Sequence, residues 1–210
     1  MCGMSSHAPA WTADEALARL IAGNERFVAG QARFPTVQKE VLADLAKGQH
    51  PYATIIGCSD SRVPPELLFD AGFGELFIIR IAGNVISAEV MGSIQYAALH
   101  LKTPLFVVLG HEGCGAVQAA LAAVTEGARE RARIAKLLER IAPGLEGVDL
   151  ALPAEARLTA AVEANVRWSM RQLMDTPEAR ERMAEGVLKL VGGVYELTTG
   201  RVRILDRPAV

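Results

Sequence analysis

Two short stretches place metal-binding and acid–base groups where an apolar run stops. In IIGCSDSRVPPE, residues 55–66, a cysteine, an acid and an arginine take alternate positions as Cys58, Asp60 and Arg62. In GHEGCGA, residues 110–116, His111 and Cys114 stand in an H-x-x-C spacing on a glycine-rich turn. One imidazole and two thiolates form a tetrahedral donor set that suits zinc, whereas magnesium and calcium take oxygen donors. Two thiolates also cancel the charge of Zn²⁺, so the centre is neutral inside a low-dielectric crevice. Three protein ligands with no fourth His or Cys nearby is the pattern of a catalytic zinc, which keeps one position open. Two other readings of the same residues stand beside this one. A buried cysteine is often simply a small hydrophobe, and Cys58 with Cys114 could form a redox pair, although the C-x-x-C spacing is absent.

These side chains can meet only if the elements carrying them lie side by side. The runs YATIIGC, GELFIIRIAGN and PLFVVLGHEGC read as strands buried on both faces, as parallel strands are. Helical patterns, PPELLFDAG, SAEVMGSIQYAALHL and GAVQAALAAV, lie between and after them. This alternation predicts an α/β domain with a mostly parallel sheet and flanking helices. In such a sheet, ligands bind beyond the carboxyl ends of the strands. That rule selects Cys58, Asp60 and Arg62, then Ala82 to Asn84, then His111 to Cys114.

Before the first strand, TADEALARLIAGNERFVAG opens on a capping Thr12 and closes on Gly30. TVQKEVLADLAKG reads as a second helix closed by Gly48, so residues 12–48 form an N-terminal helical arm behind a tail of residues 1–11. Residues 128–186 read as mostly helical, interrupted by PGLEGVDLALP, and VLKLVGGVYELTTGRVRIL as two C-terminal strands joined near TTG. No linker or repeat divides the chain, and 210 residues suit one domain, 1–210, with a substantial core.

The formal net charge of −2 gives no electrostatic footprint for nucleic acid or an anionic membrane. The densest basic cluster, GARERARIAKLLER, alternates in sign at helical spacing and reads as a solvated helix face. Three cysteines, with Cys2 in the tail, are too few for a disulfide framework. The N-terminus carries no signal-peptide pattern, and no apolar run reaches the roughly 18 residues a membrane span needs. The default expectation is a reducing, cytoplasmic setting. Neither G-x-G-x-x-G nor a P-loop motif occurs, which disfavours nucleotide binding.

CSDSRVPPE, then RIAGN, then GHEGCGAV, in that order, resemble the β-class carbonic anhydrase family, whose signature is C-x-D-x-R followed by H-x-x-C. The similarity runs from about Gly23 to about Val124, and more weakly through the C-terminal strands. It implies one Zn²⁺ per chain on Cys58, His111 and Cys114, and reversible hydration of carbon dioxide to bicarbonate and a proton. Zinc would lower the pKa of a bound water and so supply hydroxide near neutral pH. Because thiolates donate more charge than imidazoles, the activity profile is expected to be more basic than that of a three-histidine zinc site.

The resemblance also makes Asp60 and Arg62 an acid–arginine dyad. A free Asp60 could take the fourth zinc position in a closed state, whereas a bidentate Arg62 holds it off and turns it toward the hydroxide. Gln49, Phe77 and Tyr96 correspond to substrate-pocket positions. Family members with a bicarbonate-regulated switch carry a tryptophan three residues before the first cysteine. Ile55 stands there in this chain, so the open, unregulated form is expected. A homodimer or homotetramer is expected too, with the N-terminal arm clasping a neighbour. Related reactions on carbonyl sulfide or carbon disulfide, and a non-catalytic zinc protein, are the rival expectations.

Overall fold

The computed structural model describes residues 11–33 and 39–205; the proposed tail, with Cys2 and His7, lies outside them apart from Trp11. Four parallel strands and one antiparallel edge strand form a single sheet in the order β2-β1-β3-β4-β5. They are β1 Ala53–Gly57, β2 Leu76–Arg80, β3 Leu105–His111, β4 Lys189–Tyr195 and β5 Val202–Leu205. The expected alternation holds, and the C-terminal pair closes the sheet as an antiparallel hairpin. Every residue of β1 and β3 is buried. A continuous apolar run is what a central parallel strand demands, because helices cover both of its faces. Strand β2 departs from that expectation. It is an edge strand, half-exposed along most of its length, because only β1 pairs with it among the described strands.

Helix α1 spans Ala13–Val28 and begins with a full capping box. The Thr12 side chain accepts from the Glu15 N–H, and the Glu15 carboxylate accepts from the Thr12 N–H. Ala16 and Leu20 face inward, and the helix lies against β3 and against α3, the single turn Pro65–Leu68. The first half of the expected arm is therefore docked on its own sheet. Helix α2, Lys39–Leu45, is shorter than the 36–48 expected, and residues 36–38 lie outside the described region. It leaves Val41 and Leu42 exposed.

After β2 come a tight turn at Ala82–Asn84, helix α4 at Ala88–Tyr96 and a wider π-type turn at Ala97–Leu101. Beyond β3, α5 spans Gly115–Glu126, α6 Ala132–Ile141, α7 Ala154–Met174 and α8 Pro177–Ala184. The 21-residue α7 lies directly on β3 and β4. Gly192 makes that approach possible, since a Cβ there would sit 2.6 Å from the Met170 sulfur. Val162, Val166 and Met170 of α7 are buried against the sheet. Burying each such side chain is worth about 1.5–3 kcal/mol. The packed sheet is thus a rigid platform whose strand ends have fixed positions.

Candidate metal centre

The register sets the site. Gly57 pairs with Leu109, so Cys58, the first residue past β1, arrives beside the carboxyl end of β3, where His111 is the last strand residue. Cys114 follows across a short turn as the N-cap of α5. The Cys58, His111 and Cys114 donor atoms lie within 4.8 Å of one another. All three side chains are buried, with His111 only 1% exposed. Among the described residues no other group of His, Cys, Asp and Glu brings three donors together in this way.

The orientation of the imidazole is settled by its neighbours. His111 Nδ1 lies 2.8 Å from the Glu112 carbonyl, which can only accept, so the ring proton sits on Nδ1. That leaves the Nε2 lone pair pointing inward, buried and with no protein partner. A buried acceptor without a partner is costly, and a cation at this point would satisfy it. The turn itself is strapped to β4: the Glu112 N–H donates to the Tyr195 carbonyl, and the Glu112 carboxylate accepts from the Leu197 N–H at 2.9 Å.

The two sulfurs behave as a pair sharing one proton. The Cys114 thiol hydrogen-bonds to Cys58 and pulls the Cys58 pKa well down, helped by the backbone N–H groups of Gly83 and Asp60. Burial opposes this. The Cys114 thiol is pushed well up by the same shared bond and by burial. The first proton leaves easily and the second is held, because two buried thiolates side by side repel. A divalent cation removes that repulsion and displaces the second proton. Cys114 also sits at the start of α5, where the Ala116 and Val117 N–H groups favour its anion. Two sulfurs and one nitrogen at converging positions, with an unpartnered Nε2 among them, fit a tetrahedral zinc.

Asp60 stands beside this set. Its Oδ2 lies 3.9 Å from His111 Nε2. Arg62 holds the carboxylate by three bonds: backbone N–H and Nε to Oδ1, both 2.9 Å, and Nη2 to Oδ2 at 2.7 Å. This grip keeps the Asp60 carboxyl well below the usual carboxylate range. Arg62 itself is half-exposed, so the dyad forms the solvent side of an otherwise buried centre.

The sequence reading missed one residue that builds the loop, Arg80, whereas the turn Ala82–Asn84 was among the positions it selected. Arg80, the last residue of β2, donates from Nε to the Cys58 carbonyl at 2.9 Å and from Nη2 to the Asp60 carbonyl. An arginine ending an apolar strand run at the crevice was the available signal. Gly83 donates its N–H to the Cys58 sulfur at 3.3 Å. Its φ of +66° and its close approach to Ile141 and Ala116 leave no room for a side chain.

The pocket positions are not brought to the centre within one chain. Gln49 is exposed and lies before the amino end of β1, about 17 Å of strand from Cys58. Phe77 pairs in register with Thr54 inside the sheet, and its ring stacks at 6.2 Å on Tyr96, at the end of α4. Tyr96 is 48% exposed.

The comparisons agree with this geometry. A family model described as carbonic anhydrase matches residues 53–202. Carbonic anhydrase 2 of Mycobacterium tuberculosis is 43% identical over 190 residues, covering 88% of each chain. The carbonic anhydrase of Mycolicibacterium smegmatis is 41% identical over 186 residues, covering 87% of this chain and 88% of that one. Among solved structures, one of two tetrameric β-carbonic anhydrases from Sordaria macrospora superposes with a TM-score of 0.73 at 26% identity, covering 92% of this chain and 98% of that one. The β-carbonic anhydrase CcaA gives 0.72 at 28% identity, covering 90% and 95%. The chain belongs to the β-carbonic anhydrase family, a family of enzymes.

Proposed function

We propose that this chain catalyses the reversible hydration of carbon dioxide to bicarbonate and a proton, with one zinc ion per chain. The observation that carries the reading is the buried Cys58–His111–Cys114 set with a carboxylate beside it, restrained by three bonds from Arg62. Zinc held there would supply the Lewis acidity that makes water a nucleophile near neutral pH. Cys58, His111 and Cys114 hold the metal.

Asp60 accepts a hydrogen bond from the attacking water and so fixes the direction of its lone pair toward carbon dioxide. Arg62 occupies both carboxylate oxygens and thereby keeps Asp60 from becoming a fourth ligand. The resting state is therefore the open one, in keeping with Ile55 three residues before the first cysteine. The product proton leaves on the half-exposed Arg62 side.

Gln49, Phe77 and Tyr96 line the substrate path in an assembly of copies of this chain, as a homodimer or homotetramer. The half-exposed edge of β2 and the exposed Tyr96 are the surface that a second copy covers. The working compartment is the cytoplasm, where two free buried thiols stay reduced. No helix among the described residues is long and apolar enough to cross a membrane.

Stopped-flow carbon dioxide hydration, run on samples whose metal content is measured in parallel, tests the reading. Hydration proportional to bound zinc supports it. Zinc-loaded protein that hydrates carbonyl sulfide or carbon disulfide but not carbon dioxide overturns it.

A further inference from the structure

The long helix α7 turns two polar side chains into the core. Asn165 and Ser169 are each 1% exposed, one helical turn apart, on the face that otherwise carries Val162, Val166 and Met170. Burying an amide and a hydroxyl is costly unless each is bonded. Their bonds all go to one place, the turn Ala82–Asn84. Asn165 Nδ2 donates to the Gly83 carbonyl at 2.9 Å and lies 3.5 Å from Asn84 Oδ1. Ser169 Oγ donates to the Asn84 carbonyl at 3.1 Å and accepts from Asn84 Nδ2 at 3.2 Å.

That turn is conformationally expensive. Gly83 and Asn84 are consecutive residues with φ of +66° and +45°, a region that a non-glycine residue enters only when its surroundings fix it. The outcome of this geometry is the Gly83 N–H placed on the Cys58 sulfur. A hydrogen bond to a thiolate withdraws electron density from it and weakens its donation to a metal.

We infer that Asn165 and Ser169 are positioning residues that fix the Gly83 N–H on the Cys58 sulfur and so set the donor strength of that sulfur toward the metal. The inference rests on the metal reading of Cys58, His111 and Cys114, and not on the identity of the substrate. Neither residue touches the reacting atoms.

The test is optical. Protein loaded with Co²⁺ in place of zinc should show thiolate-to-cobalt charge-transfer absorption, whose energy falls as the sulfur becomes a stronger donor. Asn165→Leu should move that band to lower energy. Release of cobalt to a chelator should slow in the same variant, because a stronger sulfur donor holds the ion longer. Ser169→Ala should move the band the same way by less. Leu190→Ala, buried at the far end of β4, lowers the melting temperature without touching the turn and should leave the band in place.

Bands in Asn165→Leu and Ser169→Ala that superimpose on the wild-type band overturn the inference, as does an equal shift in Leu190→Ala. If Asn165→Leu does not fold, Ser169→Ala decides by the same criterion. A wild-type protein without any thiolate band overturns the metal reading and this inference with it. A shifted band in a protein that hydrates no carbon dioxide leaves the inference standing and removes only the proposed reaction.

Discussion

Cys58, His111 and Cys114 are nearly free of solvent, and each is held by bonds within its own chain, whereas Gln49, Phe77 and Tyr96 are exposed or half-exposed and touch none of the three donors. The first group sits at or just past the carboxyl ends of β1 and β3, two central strands of the sheet. The second lies before β1, along the edge strand β2 and at the end of α4. One end of the sheet is a finished set of donors for a metal. The other region is an unfinished surface, the one that a second copy would complete in the proposed assembly. A rigid interior can fix donor atoms to within tenths of an ångström, which an exposed edge cannot do for a pocket.

Breaking the finished half should cost most. Cys58→Ser or His111→Ala should lose zinc and hydration together, read by metal analysis and stopped-flow assay on the same samples. Arg62→Ala comes next. It frees Asp60 to take the fourth metal position, and a crystal structure of the zinc-loaded variant should show the Asp60 carboxylate on the metal. Hydration should fall with it, by about 10²-fold or more, the scale set by losing a positioned proton-handling group.

The unfinished half should respond less and differently. Gln49→Ala should lower turnover several-fold without changing zinc content. If Gln49 serves the site of a neighbouring copy, mixing Gln49→Ala with Cys58→Ser should restore activity, since a mixed pair holds one intact site. Light scattering should show an oligomer at micromolar concentration; a monomer with full activity would dissolve the comparison.

The smallest effect concerns pH. Arg62 depresses the Asp60 pKa, so this group contributes to stability above its unfolded value of about 4, and that contribution is lost as pH falls further. Asp60→Asn should therefore lower the melting temperature by a nearly constant amount above about pH 4 and converge on the wild-type value as the pH falls below it, which flattens the acid limb. For the same reason the hydration profile between pH 5 and 9 should not inflect at Asp60. With two thiolate ligands it should rise toward the alkaline side.

The donor set was legible in the sequence because Cys58 and His111 end apolar runs and Cys114 follows one turn later, and the crevice rule points to those positions. Burial of β1 and β3 on both faces was legible for the same reason. The edge position of β2 was not, since its run LFIIR is as apolar as theirs, and only strand order separates them. The docking of α1 was half legible: its cap and inward residues could be read, but not the surface they meet. Arg80, Asn165 and Ser169 escaped, as did the bond from Gly83 to Cys58 within the selected turn, because these roles depend on contacts across 20 residues or more of sequence. A polar residue inside an amphipathic helix pattern reads as a solvated position until the helix's neighbours are known.

The central claim is that Asp60, held by Arg62, works on water and not on the metal. The most direct measurement is the carbon dioxide hydration rate of Asp60→Asn with zinc content determined on the same sample. The account predicts a full complement of zinc and turnover lowered by about 10²- to 10⁴-fold. Wild-type turnover in a zinc-loaded Asp60→Asn protein would contradict it.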